Sequence, residues 1–462
     1  MADNVNRYAS HLALRSRLAF KRWTRRTIFL FGGMAVGAAA VLMAWMADGA
    51  QAKFQQILAL APHVALFMSP LGFVLAALLA RHVFPNSQGS GIPQSIAALQ
   101  IEDQEARAPL VSLRVAFGKI VVMTLGLLCG ASTGREGPTV QVGAAIMFAL
   151  GRRAPYRQAG FLLAGAAAGV AAAFNTPLAG IVFGIEEMSR SFEARTSGLI
   201  VGAVIAAGLT SLALVGDYSY FGSTSARLPF GKAWFAILVC AVIGGLMGGA
   251  FIRLLGLFAQ GLPGRVGAAI KGYPIAFAMI CGLGVALCGL NGDISIFGTG
   301  YAQARAIVHG SGAIDYWFGP LKFIATAFSA ISGIPGGVFS PSLSIGAGLA
   351  SVVSLVFTNV PLGALALIGM VSYLTGVVQA PITSFVIVSE MTNDHAMVIP
   401  LMAAALIANA TSKLLSKEGL YHRLAKNFIA AAGSPANHAS AKKGGDTNDG
   451  APDVSLPDQH SA

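Results

Sequence analysis

From Phe323 to Ser389 the chain carries no Asp, Glu, Lys or Arg. A helix that crosses a bilayer needs only about 20 mostly apolar residues, so this stretch is far too long for one crossing. Gly333-Ile334-Pro335-Gly336-Gly337, Pro341, Pro361 and Pro381 punctuate it, which predicts several short or broken helices rather than one long one. Other charge-free runs are of spanning length: Ile28–Ala47, Gln158–Ile185, Thr196–Gly216, Ala233–Ile252 and Gly272–Gly292. Only 11% of the 462 residues are charged, against about a quarter in a soluble domain. There is too little polar side chain to cover a water-facing surface. The fold class expected is an all-α membrane protein.

The charges that remain are placed unevenly. Before Ile28 stand Arg7, Arg15, Arg17, Lys21, Arg22, Arg25 and Arg26 against a single acid, Asp3. Such a flank holds the N-terminus in the cytosol. Lys413, Lys417, Arg423 and Lys426 follow the last apolar run, so the C-terminus is expected there too, with the chain a multi-pass protein of the cell (inner) membrane. The net charge of +12 is accounted for by these flanks, and nucleic-acid binding is not needed to explain it. No small-residue cleavage site follows the basic start, so a removed signal peptide is not expected. The four cysteines, Cys129, Cys240, Cys281 and Cys288, all lie in apolar sequence and no His clusters with them; free buried thiols are expected, with neither metal nor cofactor. No Ser/His/Asp constellation or nucleotide-binding loop is present and the eight His are scattered, which argues against an enzyme.

The chain also repeats itself. Gly134-Arg135-Glu136-Gly137-Pro138 is followed by Val142-Gly143-Ala144, and Gly337-Val338-Phe339-Ser340-Pro341 by Ile345-Gly346-Ala347. Pro177 precedes Glu186 as Pro381 precedes Glu390. With both termini on one side and a linker lacking a basic excess, the two halves are expected to be inverted, an architecture in which broken helices meet near the midplane. The expected organisation is a cytosolic basic segment over 1–27, a first transmembrane repeat over 28–216, an extracytoplasmic linker over 217–231, a second repeat over 232–430, and a disordered cytosolic tail over 431–462.

Three Gly- and Pro-rich segments interrupt the apolar sequence: Gly89-Ser90-Gly91-Ile92-Pro93, Gly134 to Pro138, and Gly336 to Pro341. Glycine permits a tight bend and proline suits the first turn of a helix. A helix that starts there aims free N–H groups and the positive end of its dipole at what precedes it. Three such ends converging at membrane depth would hold an anion without a full positive charge, weakly enough for it to leave. Glu186 and Glu187 follow an apolar run; adjacent helical positions diverge by about 100°, so at most one can face a given pathway. The alternative is that both cap a helix end near Arg190.

In this order and spacing, GSGIP, GREGP and GxFxP resemble the signatures of the CLC family of chloride channels and proton-coupled chloride exchangers. The resemblance runs from the first basic helix to Lys426. It implies a CLC-type fold of two inverted repeats with many tilted and re-entrant helices, a homodimer in the lipid bilayer with one pore per subunit, and chloride ions and protons as cargo. By the same resemblance the anion would be held by Ser90, Gly91, Ile92, Arg135, Gly137, Val338, Phe339 and Tyr421, the last with a membrane-interface tyrosine as the alternative. Lys119 would offset buried acidic charge. Glu136 sits between uncharged runs, Ile120–Gly134 and Gly137–Gly151, broken only by Arg135, and a carboxylate at such depth is normally functional. Being an anion, it can occupy chloride's place at a helix N-terminus; once protonated it loses that attraction and swings away. Glu187 matches the family's inner proton-transfer residue, which tips the expectation from a passive chloride channel toward a proton/chloride antiporter. Gln94 stands where the family often has an acid, and Ser90 is not the proline of nitrate-preferring relatives.

Overall fold

The computed structural model describes residues 2–152, 158–189, 197–216, 220–224, 226–228, 231–292, 294–311 and 315–432. Part of the expected 217–231 linker, Arg190 and the 433–462 tail lie outside the described residues. The first half comprises α1 (Ala2–Leu60), α2 (Ala65–Leu78), α3 (Ile92–Gln100), α4 (Gln104–Arg107), α5 (Leu113–Leu128), α6 (Glu136–Gly151), α7 (Gln158–Phe174), α8 (Pro177–Phe183) and α9 (Ser197–Val215). The second comprises α10 (Phe235–Gln260), α11 (Gly264–Gly272), α12 (Pro274–Gly292), α13 (Tyr301–Val308), α14 (Phe318–Ile331), α15 (Phe339–Val353), α16 (Leu362–Val378), α17 (Pro381–Thr392), α18 (Val398–Leu415) and α19 (Leu420–Ala432). The described residues form helices and turns, with β-pairing confined to isolated bridges.

Among the described residues seven helices are long and apolar enough to cross a membrane, including the Arg26–Leu60 part of α1, the Lys232–Gln260 stretch and α18. The charge-free run resolves as its punctuation predicts, into the end of α14, then α15, α16 and α17. The helices α15 and α16 are buried on almost every side, and so are α6 and α7. A helix that is apolar all round belongs in the interior. These short helices therefore form the centre, and longer ones surround them.

The repeat seen in the sequence is a physical symmetry. Gly134 and Gly337 pair antiparallel with each other: Gly134 N donates to Gly337 O at 2.7 Å and Gly337 N to Gly134 O at 2.8 Å. Two equivalent residues that exchange bonds in this way lie on either side of a two-fold axis, and α6 and α15 set out from it with their N-termini facing. The relation extends outward. In the pair α6–α7, Gly143 and Gly165 bring backbone onto backbone, and Gly346 and Gly369 do the same for α15–α16; small residues let helices approach this closely in lipid. Fully buried Lys119 of α5 has a twin in fully buried Lys322 of α14. Glu186 accepts from Ile382 N at 3.1 Å and Thr383 N at 2.6 Å, while Glu390 accepts from Leu178 N at 3.1 Å and Ala179 N at 2.7 Å. Each acid thus caps the first turn of the other half's helix, α17 or α8, where amides lack an intrahelical partner.

Candidate ion pathway

The three turns singled out in the sequence are stitched together at the centre. Gly89 N donates to Ile334 O at 3.1 Å and Gly336 N to Gly89 O at 3.0 Å, and the Gly134–Gly337 exchange closes the set. From this knot α3 starts behind Gly91, α6 behind Arg135 and α15 behind Val338, and no side chain caps any of the three. Gly91 holds φ +93°, a conformation open to glycine at little cost. At Gly137 a Cβ would run into the Ser90 hydroxyl and lie 3.3 Å from Gly337 Cα. Only glycine lets the start of α6 approach the other two turns. The first-turn amides of three helices, each carrying part of a positive dipole end, so meet around Ser90, Gly137 and Gly337.

Side chains complete this surface. Ser90 and Tyr421 are buried, and Tyr421 stacks on Phe339 with ring centroids 5.8 Å apart. Phe339 is fixed in turn by edge contacts with Phe174 at 5.7 Å and Phe183 at 6.1 Å. The Ser90 and Tyr421 hydroxyls lie close enough to influence one another, yet neither makes a hydrogen bond of ordinary geometry among the described residues. A buried hydroxyl without a partner costs free energy; two beside the uncapped helix starts are donors suited to an anion. A vestibule of about 830 Å³ reaches this point from the side of α19. Arg81 and Lys271 line it and, among the described residues, no acid does, which draws anions inward.

Glu136 opens α6 and is completely buried. Its Oε1 accepts from the Tyr301 hydroxyl at 2.7 Å and its Oε2 from Ser340 Oγ. Glu187, 2% exposed, lies in the π-helical turn Gly184–Ser189 that follows α8; such turns frequently occur at functional sites. His422 Nε2 donates to Glu187 O at 2.9 Å and stands 3.7 Å from its Oε1. Tyr421 is within electrostatic reach of both Glu136 and Glu187. Glu186, by contrast, turns away to cap α17. The two adjacent acids thus face different elements, Glu186 the start of α17 and Glu187 the helix α19.

Two expectations change. Arg135 spends its guanidinium elsewhere: on Asp48 at 2.7 Å, Ala44 O at 2.9 Å and the Tyr220 hydroxyl at 2.7 Å. Its side chain braces α1 and the Tyr220 segment, so only its backbone is left for an anion. Lys119 does not sit on an acid either; its Nζ donates to Gln88 O at 3.3 Å and Gly89 O at 2.8 Å. It offsets carbonyl dipoles behind the Ser90 turn, and Lys322 does the same for Ile296 O at 2.8 Å and Gly298 O at 2.7 Å. Gln94 is buried and ties Asn86 and Gln88 carbonyls. The sequence reading missed Tyr301, Ser340, Tyr220, His422 and Lys322. Two carried a signal: Ser340 lies inside the GxFxP segment, and Tyr301 follows Gly298-Thr299-Gly300 much as Ile92 follows Gly89-Ser90-Gly91.

Known proteins resemble this chain across most of its length. The H+/Cl− exchange transporter ClcA of Klebsiella pneumoniae is 32% identical over 392 residues, covering 78% of this chain and 79% of that one. The protein of the same name from Citrobacter koseri is 32% identical over 404 residues, with 79% and 80% covered. Among solved structures, a slow cyanobacterial Cl−/H+ antiporter superposes with a TM-score of 0.74 at 25% identity, covering 87% of this chain and 98% of that one. A CLC-type fluoride/proton antiporter shares the fold, with a TM-score of 0.73 at 22% identity and 88% and 98% covered. The model of the voltage gated chloride channel family matches residues 72–413. With the three helix starts, the inverted halves and that match in register over one stretch of chain, the protein belongs to the voltage-gated chloride channel (CLC) family.

Proposed function

We propose that this protein is a secondary active transporter that exchanges chloride for protons across the membrane. One observation carries the reading: two buried carboxylates lie beside a single dipole-lined anion surface, Glu136 at the start of α6 and Glu187 against His422, the neighbour of Tyr421 in α19. A channel needs the anion surface alone; a proton route needs ionisable groups on both sides of it. The exchanger names of the relatives in Klebsiella pneumoniae and Citrobacter koseri support the same reading.

In this account chloride enters from the vestibule between Arg81 and Lys271 and is held by the hydroxyls of Ser90 and Tyr421 and the amides of Ile92, Gly137, Val338 and Phe339. Moderate binding by dipoles lets it move on. Glu136, ionised, occupies the outer position at the start of α6 and competes with the anion. Protonated, it no longer gains from the positive helix ends, leaves, and carries its proton outward. Glu187 passes protons between the cytosol and the buried site, with His422 on its cytosolic flank. The division into repeats over 28–216 and 232–430, the cytosolic placement of both termini in the inner membrane, and a homodimeric assembly complete the proposal; the basic flanks support the orientation and the family resemblance supports the dimer. The test is the reversal potential of purified protein in a planar bilayer under a proton gradient at symmetric chloride. Coupled exchange shifts it away from zero, and a passive chloride channel leaves it at zero.

A further inference from the structure

The Glu136 carboxylate is held by two hydroxyls from the opposite half of the molecule, and these two oxygens lie 3.1 Å apart. Ser340 is completely buried at the first turn of α15. Tyr301 is the first residue of α13, behind Gly300 at φ +79°. Its ring is fixed from two sides, stacked on Tyr220 at 4.7 Å and tilted against Phe221 at 5.7 Å. Tyr220 is itself held by Arg135 and donates to Ala173 O at 2.8 Å. A continuous chain of contacts, Arg135 to Tyr220 to Tyr301 to Glu136, therefore presets the Tyr301 hydroxyl.

Each hydroxyl has one hydrogen to give: Tyr301 is in position to donate to one carboxylate oxygen and Ser340 to the other, with the Tyr301 oxygen as a second acceptor for Ser340. Such bonds favour the ionised form of an acid over the neutral one, because a protonated carboxyl brings its own hydrogen and one donor must turn away. Among the described residues the charged and titratable groups facing Glu136 are Arg135 at the N-cap of its helix, Tyr301 on α13 and Tyr421 on α19, with Asp48 and Tyr220 one contact beyond on the far side of Arg135. Among them only Tyr301 donates a hydrogen bond to the carboxylate, and Ser340 supplies the second.

We propose that Tyr301 and Ser340 are positioning residues that latch the ionised Glu136 in the ion path and thereby set the pH at which chloride flux turns on. This rests on the gating reading of Glu136 and adds a device to it. Loss of one donor weakens the hold on the charged form, so the gate releases at a higher pH. A hydrogen bond to a charged group is worth about one pH unit of such preference.

The experiment is chloride efflux from liposomes across a pH series, for wild type, Tyr301→Phe, Ser340→Ala, Glu136→Ala, and both hydroxyl variants in the Glu136→Ala background. The latch predicts half-maximal flux displaced upward by about one pH unit in each hydroxyl variant, with no such displacement once Glu136 is Ala. An unmoved half-point in Tyr301→Phe and Ser340→Ala, or a displacement that persists without Glu136, overturns the latch while leaving the gate in place. Flux in Glu136→Ala that keeps the wild-type pH profile overturns both the gate and the latch. Because Tyr301→Phe keeps the ring and its stacking, a displaced profile in that variant reports the hydroxyl and not the packing.

Discussion

The starts of α6 and α15 are two copies of one structure, and they differ where it matters. Both follow a glycine turn, both lack a side-chain cap, and they pair with one another through Gly134 and Gly337. Yet the position held by Glu136 in the first half is held by Phe339 in the second. One carries a carboxylate that can lose its charge; the other carries a ring wedged among Phe174, Phe183 and Tyr421. The same contrast recurs further along. Glu186 and Glu390 are twins, each capping a helix of the other half, whereas the position equivalent to Glu187 is Met391. Symmetric polar groups hold the halves together. Glu136 and Glu187 have no acid at the equivalent place in the other half, and they are the two that the proposed exchange uses.

That contrast predicts a graded set of effects. The largest falls on Glu136: Glu136→Ala removes proton coupling entirely while chloride still crosses, measured as proton and chloride fluxes in the same vesicles. Next come the buried amines. Lys322→Met takes the amine from Ile296 O and Gly298 O and costs roughly 2–4 kcal/mol, whereas Lys119→Met leaves Gln88 O with Gln94 Nε2 and Gly89 O with Gly336 N and costs less; the thermal midpoint in detergent falls further for Lys322→Met, and an equal or larger fall for Lys119→Met contradicts this difference between the twins. The smallest effect belongs to the reciprocal caps. Glu186→Gln and Glu390→Gln lower stability by about 1 kcal/mol and keep the proton-to-chloride ratio. Glu186→Gln is the costlier of the two, since Glu186 also accepts from Thr383 Oγ1 at 2.8 Å. A changed ratio in either variant would place a symmetric acid on the transport path.

The sequence carried the membrane class, the broken central helices and the repeat, because each rests on local signals: missing charge, Gly and Pro punctuation, and a motif repeated at nearly one spacing. It carried the three helix starts for the same reason. The partners of these residues were not legible. Arg135 stands beside Glu136 in the chain, yet its ion pair is with Asp48 near the end of α1. Tyr301 lies far from Glu136 in sequence and reaches it only because α13 and α6 start at the same centre. From the apolar run alone Glu186 and Glu187 read alike, and only the family resemblance singled out Glu187. What divides them is which element each faces, the start of α17 or the helix α19, and that is a property of the packing.

The claim that the unmatched acids carry the proton is tested most directly at Glu187. Purified protein in vesicles loaded with high chloride is diluted into low chloride, and proton uptake is followed as chloride leaves. Wild type should take up protons against no imposed gradient, and Glu187→Gln should release chloride with no proton uptake. Uptake that persists in Glu187→Gln, or wild-type vesicles that lose chloride and move no protons, would contradict the account.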